Sequence, residues 1–148
     1  MDSPPSPVQQ PVQEPLREPL RMLIVDDDRV TRVLLAGLAR SLGFHATCVG
    51  TADKALALAT RDGYGLILMD CLLPGRDGYA AARALRAAGV RTPVVAVTST
   101  CDEAACHAAG MDYFISKPVT RADLRLACEF LQIPLSATAA HGRRPREA

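Results

Sequence analysis

A chain of 148 residues, 49% hydrophobic and 22% charged, is long enough to bury one core and has the balance of an ordinary globular protein. Its 17 basic and 16 acidic side chains leave a formal charge of +1, so no electrostatic drive toward nucleic acid or a membrane surface exists, and no apolar run is long enough to span a bilayer. Five cysteines without a C-x-x-C pair, and a start lacking a secretory pattern, point to reduced thiols and a cytoplasmic setting.

From Pro7 the repeat PVQQ-PVQE-PLRE-PL puts a proline at every fourth position, which favours an extended solvated arm over residues 1–20. The domain is expected over 21–133. RMLIV (21–25) reads as a buried strand. Val30, Val33, Leu34, Leu38 and Leu42 then recur at helical spacing, with Gly43 as a stop. FHATCV (44–49) reads as a strand, and Thr51 as the cap of a helix through Ala55, Leu56 and Ala59. GLILM (65–69) is the most strand-like run, LPGRDG (73–78) a turn, and the alanine-rich stretch from Tyr79 to Gly89 a helix. PVVAV (93–97) is a buried strand, and about 102–109 a weak helix ended by Gly110. DYFIS (112–116) is a short strand, and Thr120 caps a last helix carrying Leu124, Cys128 and Leu131. Residues 134–148 end in HGRRPREA and read as a disordered tail.

Strands alternating with helices call for an α/β fold, a parallel sheet covered on both faces, whose functional crevice lies at the carboxyl ends of the strands. Those ends carry Asp26, Asp27 and Asp28 after the first strand, Asp70 after the third, Thr98 (with Ser99 and Thr100) after the fourth, and Lys117 and Pro118 after the fifth. Converging carboxylates repel unless a cation shares them, and hard oxygen donors favour magnesium. A carboxylate can attack phosphorus and carry the group as an aspartyl phosphate, stabilised by the metal, a lysine charge and a threonine hydroxyl.

Each residue alone has a plainer role: a helix cap for Asp26 to Asp28, a turn former at Asp70, a structural threonine at Thr98, a surface lysine at Lys117. Their placement after successive strands is what the plainer roles leave unexplained. His45 and His107 have no partner at metal spacing, and Cys71 beside Asp70 reads as structural.

The segments LIVDDD (23–28), LILMDCLLPGRDG (66–78), PVVAVTS (93–99) and AAGMDYFISKPV (108–119) resemble the receiver domain of two-component response regulators, and most of all the receivers of hybrid histidine kinases. The resemblance covers about residues 21–131. It implies a flavodoxin-like fold with five parallel strands in order 2-1-3-4-5 and five helices. It implies Asp70 as phospho-acceptor, with Asp26, Asp27, Asp70 and the backbone carbonyl of Leu72 around Mg2+. Lys117 and Thr98 would bind the phosphoryl group, Phe114 would follow Thr98 inward, and Pro118 would follow a cis bond. The donor would be a histidine kinase or a histidine phosphotransfer protein, and the output a protein contact on the face of the fourth helix, fifth strand and fifth helix. The chain would catalyse only its own phosphorylation and dephosphorylation. Leu72 and Thr100 depart from the longer polar residues frequent at those positions, which bears on the lifetime of the phosphoryl group.

Rival readings come from the same residues. DDDRV (26–30) also matches the D-x-D-x-[TV] signature of haloacid-dehalogenase-like phosphatases, which leaves Asp70 without a role. A receiver that never becomes phosphorylated would have no reason to keep Asp26, Asp27, Asp70, Thr98 and Lys117 together. Flavin binding lacks a phosphate-cradling loop after the first strand.

Overall fold

The computed structural model describes residues 20–100 and 102–135; the arm through residue 19, Cys101 and the tail from residue 136 lie outside the described residues. Five strands alternate with five helices: β1 (Arg21–Val25), α1 (Arg29–Ser41), β2 (His45–Val49), α2 (Ala52–Arg61), β3 (Leu66–Asp70), α3 (Gly78–Ala87), β4 (Val94–Thr98), α4 (Glu103–Ala108), β5 (Tyr113–Ser116) and α5 (Arg121–Phe130). The strands form one parallel sheet in the order β2-β1-β3-β4-β5, the flavodoxin-like arrangement.

The period of two along each strand divides the core. Met22, Ile24, Leu66, Leu68, Val95 and Val97 point to one face, where Leu35, Ala36 and Ala39 of α1 and Leu124 and Ala127 of α5 cover them. Leu23, Val25, Ile67, Met69, Val94 and Ala96 point to the other face, under alanines of α2 and α3 and Cys106 of α4. All five residues of β3 and of β4 are buried, as central strands of a doubly covered sheet require. Burying each large aliphatic side chain there stabilises the fold by about 1.5–3 kcal/mol.

The helices start on side-chain caps. Asp28, Thr51, Asp77, Asp102 and Thr120 each accept a backbone N–H three residues on, and Thr120 completes a reciprocal box with Asp123. Arg86 ties the sheet's far end together. Its guanidinium donates to the carbonyls of Val90 (2.9 Å), Thr92 (2.8 Å) and Gly110 (2.9 and 3.0 Å) and to Asp112 Oδ2 (2.9 Å).

Two expectations change. Strands β3 and β4 run one residue further than the apolar runs suggest, so Asp70 and Thr98 are the last strand residues. In α1 the helix is as expected but its face is not: Val30, Val33 and Leu34 are 66%, 65% and 62% exposed, while Leu35, Ala36, Ala39 and Leu42 are buried. Small alanines let α1 lie close to the sheet, and that turns the larger residues of its first turns outward.

Candidate functional site

Strand register assembles the site. Val25 pairs with Met69, so Asp26 leaves β1 beside Asp70 at the end of β3. Asp70 pairs with Val97, and Thr98 with Ser116, so Thr98 and Lys117 arrive one step further along the same edge. The Lys117 N–H donates to the Thr98 carbonyl at 2.9 Å, and the Asp26 N–H to Val49 O at 3.1 Å. The Lys117–Pro118 peptide bond is cis.

The three adjacent aspartates take three different roles. Asp26 is fully buried; its Oδ1 accepts the Asp28 N–H (2.9 Å) and its Oδ2 the Lys117 ammonium (3.0 Å). Asp27 is exposed at the mouth. Asp28 caps α1, accepting both the N–H and the hydroxyl of Thr31, and those bonds hold its carboxyl below the usual carboxylate range. One carboxylate oxygen from each of Asp26, Asp27 and Asp70 lies within 4.8 Å of the others. Three hard oxygen donors at that spacing fit a divalent cation such as Mg2+, with room left for water and a phosphate oxygen.

Asp70 is 5% exposed. Its Oδ1 accepts the Leu72 N–H at 2.9 Å and its Oδ2 faces Lys117 Nζ at 3.3 Å. Burial raises its pKa above the ordinary value and the charge of Asp26 adds to this, while the Leu72 N–H and Lys117 oppose it. Lys117 moves upward too: burial disfavours its charge, but the hydrogen bond it donates to Asp26 and the charges of both aspartates outweigh that. An ammonium shared by two carboxylates stays protonated and balances part of their charge.

Thr98 is buried, and its hydroxyl donates to the Thr100 carbonyl at 2.8 Å. Phe114 is half-buried and packs against the core under α2, α3 and α4. Leu72 is 62% exposed at the rim. The structure thus brings Asp26, Asp27, Asp70 and Lys117 together, with Thr98 adjacent.

Two contributors escape sequence reasoning. Gly78, the first residue of α3, lies so close beneath the end of β3 that an added Cβ would overlap the Asp70 carbonyl and stand 2.8 Å from Cys71 Cα. Arg32 of α1 donates to the Asp26 carbonyl at 2.8 Å and braces the acidic loop. The phosphatase signature fares poorly here, because its second aspartate, Asp28, is engaged as the cap of α1.

Beside the site a groove of about 360 Å³ is lined by Thr31, Leu34, Leu35, Lys117, Pro118 and Val119. It connects the exposed Leu34 of α1, next to which Val30 and Val33 are also exposed, to Lys117. Among the described residues no helix is long and apolar enough to cross a membrane.

Comparison with known proteins agrees with this geometry. The family model of the response regulator receiver domain matches residues 22–129. Sensor histidine kinase RcsC of Salmonella typhimurium is 34% identical over 102 residues, 67% of this chain and 11% of the relative; RcsC of Escherichia coli K12 is 33% identical over the same shares. This chain therefore spans about a tenth of the length of the curated relatives it matches. Among solved structures, the receiver domain of sensor histidine kinase PA1611 from Pseudomonas aeruginosa, with magnesium coordinated in its active-site cleft, superposes with a TM-score of 0.70 at 36% identity, covering 77% of this chain and 98% of that one. The receiver domain of the histidine kinase CKI1 from Arabidopsis thaliana, complexed with Mg2+ and BeF3-, gives a TM-score of 0.65 at 28% identity over 73% of this chain and 87% of that one. With the matched residues holding all of the sheet but Arg21 and every acidic group of the crevice, this chain belongs to the response regulator receiver domain family.

Proposed function

We propose that the chain is a phosphorylation switch: Asp70 accepts a phosphoryl group from a histidine kinase or a histidine phosphotransfer protein in the cytoplasm, and the phosphorylated chain acts through protein contacts. The observation that carries this reading is the convergence of Lys117 on both Asp26 and Asp70, with Asp27 beside them. Asp26, Asp27 and Asp70 would hold Mg2+, with the Leu72 carbonyl as a further ligand. Held there, the cation would screen the repulsion that an incoming phosphate meets among the carboxylates of Asp26, Asp27 and Asp70. An Asp70 oxygen attacks phosphorus in line with the leaving nitrogen of a phosphohistidine, and the ammonium of Lys117 faces the oxygens that gain charge.

The new group adds about −1.5 to −2 charge and three acceptor oxygens. The Thr98 hydroxyl then has a better acceptor than the Thr100 carbonyl, and turning toward it draws on the β4–α4 segment, with Phe114 following. That is a shift between two arrangements, and a few kcal/mol of differential bonding suffices. The chain catalyses only the gain and loss of its own phosphoryl group.

The phosphodonor approaches over α1. Val30, Val33 and Leu34 lie at i, i+3 and i+4, one face of a helix, and expose apolar surface beside the groove that leads to Lys117. A partner helix carrying the histidine fits that surface.

Intact-mass spectrometry after incubation with acetyl phosphate and magnesium tests the proposal. A single phosphoryl adduct on the native chain, absent from Asp70→Asn and absent without magnesium, is expected. Label retained by Asp70→Asn would move the acceptor elsewhere.

A further inference from the structure

The residue that follows the acceptor is a thiol turned into the core. Cys71 is 1% exposed, and Cys106 of α4 is 3% exposed in the same cluster beneath α2, α3 and α4. The two thiols and the phenol of Tyr79, on the first turn of α3, lie near enough in that cluster to perturb one another's titration. The other described cysteines stand apart: Cys128 is in the cluster across the sheet, and Cys48 on β2 lies against the Arg32 carbonyl at 3.8 Å.

Cys106 is also the only buried residue within α4, a helix of six residues. Within residues 103–108 the element that the switch must move is thus buried through one side chain, and that thiol lies near the residue next to Asp70. A helix with so few buried contacts opens at low cost, which lets a small oxidant reach thiols that are covered at rest.

We propose that Cys71 and Cys106 are a redox modification site, joined by a disulfide under hydrogen peroxide, and that this bond locks α4 to the strand end carrying the acceptor. A Cys106 sulfur attacks one peroxide oxygen; the O–O bond breaks, and the departing hydroxide takes the thiol proton and leaves as water. Cys106 then holds S–OH. The Cys71 sulfur attacks that sulfur, the S–O bond breaks, and hydroxide leaves with the Cys71 proton as a second water. Two thiols have lost two electrons and two protons, and the peroxide has taken them. A disulfide holds its sulfurs about 2.05 Å apart, so the pair must close from its packed separation, a movement that a helix with one buried residue can make. The bond itself does not depend on the proposed role of Asp70; its effect on switching does.

The test uses the full chain. The reduced protein is treated with hydrogen peroxide, its remaining thiols are alkylated after denaturation, and the intact mass and peptide map are read. The expected result is loss of two hydrogens, reversed by dithiothreitol, with the peptides of Cys71 and Cys106 joined. Absence of that linkage in the native chain, or a disulfide through Cys101 in place of Cys71, overturns the site. Cys106→Ser, checked for fold by circular dichroism, should keep its mass under peroxide. In parallel, Asp70 labelling by acetyl phosphate should fall at least threefold in the oxidised chain and return on reduction; unchanged labelling with the disulfide formed overturns the lock. A reduced chain that takes no label defeats the acceptor reading, and the peptide map still decides the disulfide.

Discussion

Gly78 and Asp70 are eight residues apart in sequence and in backbone contact in space. The first residue of α3 sits directly beneath the carbonyl of Asp70, where no Cβ fits, and the Gly78 N–H donates to the Cys71 carbonyl at 3.0 Å. Neither atom belongs to a flexible side chain, so a methyl group can be admitted only by moving the end of β3. Gly78→Ala should destabilise the fold by about 1–3 kcal/mol, the usual range for overpacking a core. It should also lower phosphorylation beyond what lost folded protein explains, since the displaced atoms carry Asp70. Urea denaturation with a labelling assay on the folded fraction checks both; full labelling there would separate the glycine from the site.

The same pair shows what a sequence displays and what it hides. Asp26, Asp70, Thr98 and Lys117 were legible because each ends an apolar strand, and parallel strands put those ends on one edge. Gly78 looked like a turn former. Its reason is a contact made only once α3 has folded back on β3, and the one local hint was Asp77 before it, a cap signal that places Gly78 inside the helix. The outward face of α1 was hidden differently: apolar residues lie on both sides of that helix, and spacing alone does not say which side meets the sheet. Arg86 and Asp112, whose bonds join α3 to β4 and β5, look in sequence like ordinary surface charges.

The charge on Asp70 weakens the metal-free fold at neutral pH. Its carboxyl titrates above the ordinary 3.8 because of burial, with Asp26 adding to the effect. An acid raised in the folded state binds protons more tightly there than in the unfolded chain, so stability falls as pH rises from the unfolded pKa through the folded one. Asp70→Asn should therefore raise the melting temperature at pH 7 without magnesium, by roughly 3–5 °C for each kcal/mol relieved. The gain should shrink toward zero as pH drops below about 4, where both states of the native chain are protonated. Magnesium should stabilise the native chain and not the variant. Thermal melts across pH with and without the metal check this, and a variant less stable at pH 7 would show that Lys117 dominates.

At rest the Thr98 hydroxyl is occupied by Thr100, so the part proposed for it in phosphorylation would come after the chemistry. Thr98→Ala should accept the phosphoryl group within about threefold of the native rate, yet fail to move α4. Hydrogen exchange over residues 103–108, compared before and after acetyl phosphate, is the readout. An unchanged response of α4 in the variant would remove Thr98 from the switch.

Leu72 stands exposed at the rim, two residues past the acceptor, and its side chain offers no hydrogen bond to a water. Hydrolysis of the aspartyl phosphate needs a water held in line with phosphorus, so an apolar rim should prolong the phosphorylated state. Leu72→Gln should speed loss of the phosphoryl group several-fold at unchanged stability, since the position is exposed. Decay of the adduct after donor removal measures it; equal rates would place control of the lifetime elsewhere.

The exposed stripe on α1 separates the donor's needs from the acceptor's. Val30, Val33 and Leu34 belong to neither core cluster, and leaving three large aliphatic side chains in water has no benefit for the isolated fold. A small donor such as acetyl phosphate needs only the mouth at Asp27 and Lys117, whereas a helical histidine donor must rest its apolar face somewhere beside it. Leu34→Asp should leave labelling by acetyl phosphate unchanged and slow transfer from a phosphorylated histidine protein at least tenfold, the effect of losing about 1.4 kcal/mol at a contact. Because Leu34 lines the groove next to Lys117, equal slowing with both donors would mean damage to the acceptor site. Equal retention with both would mean that the histidine partner approaches from another side.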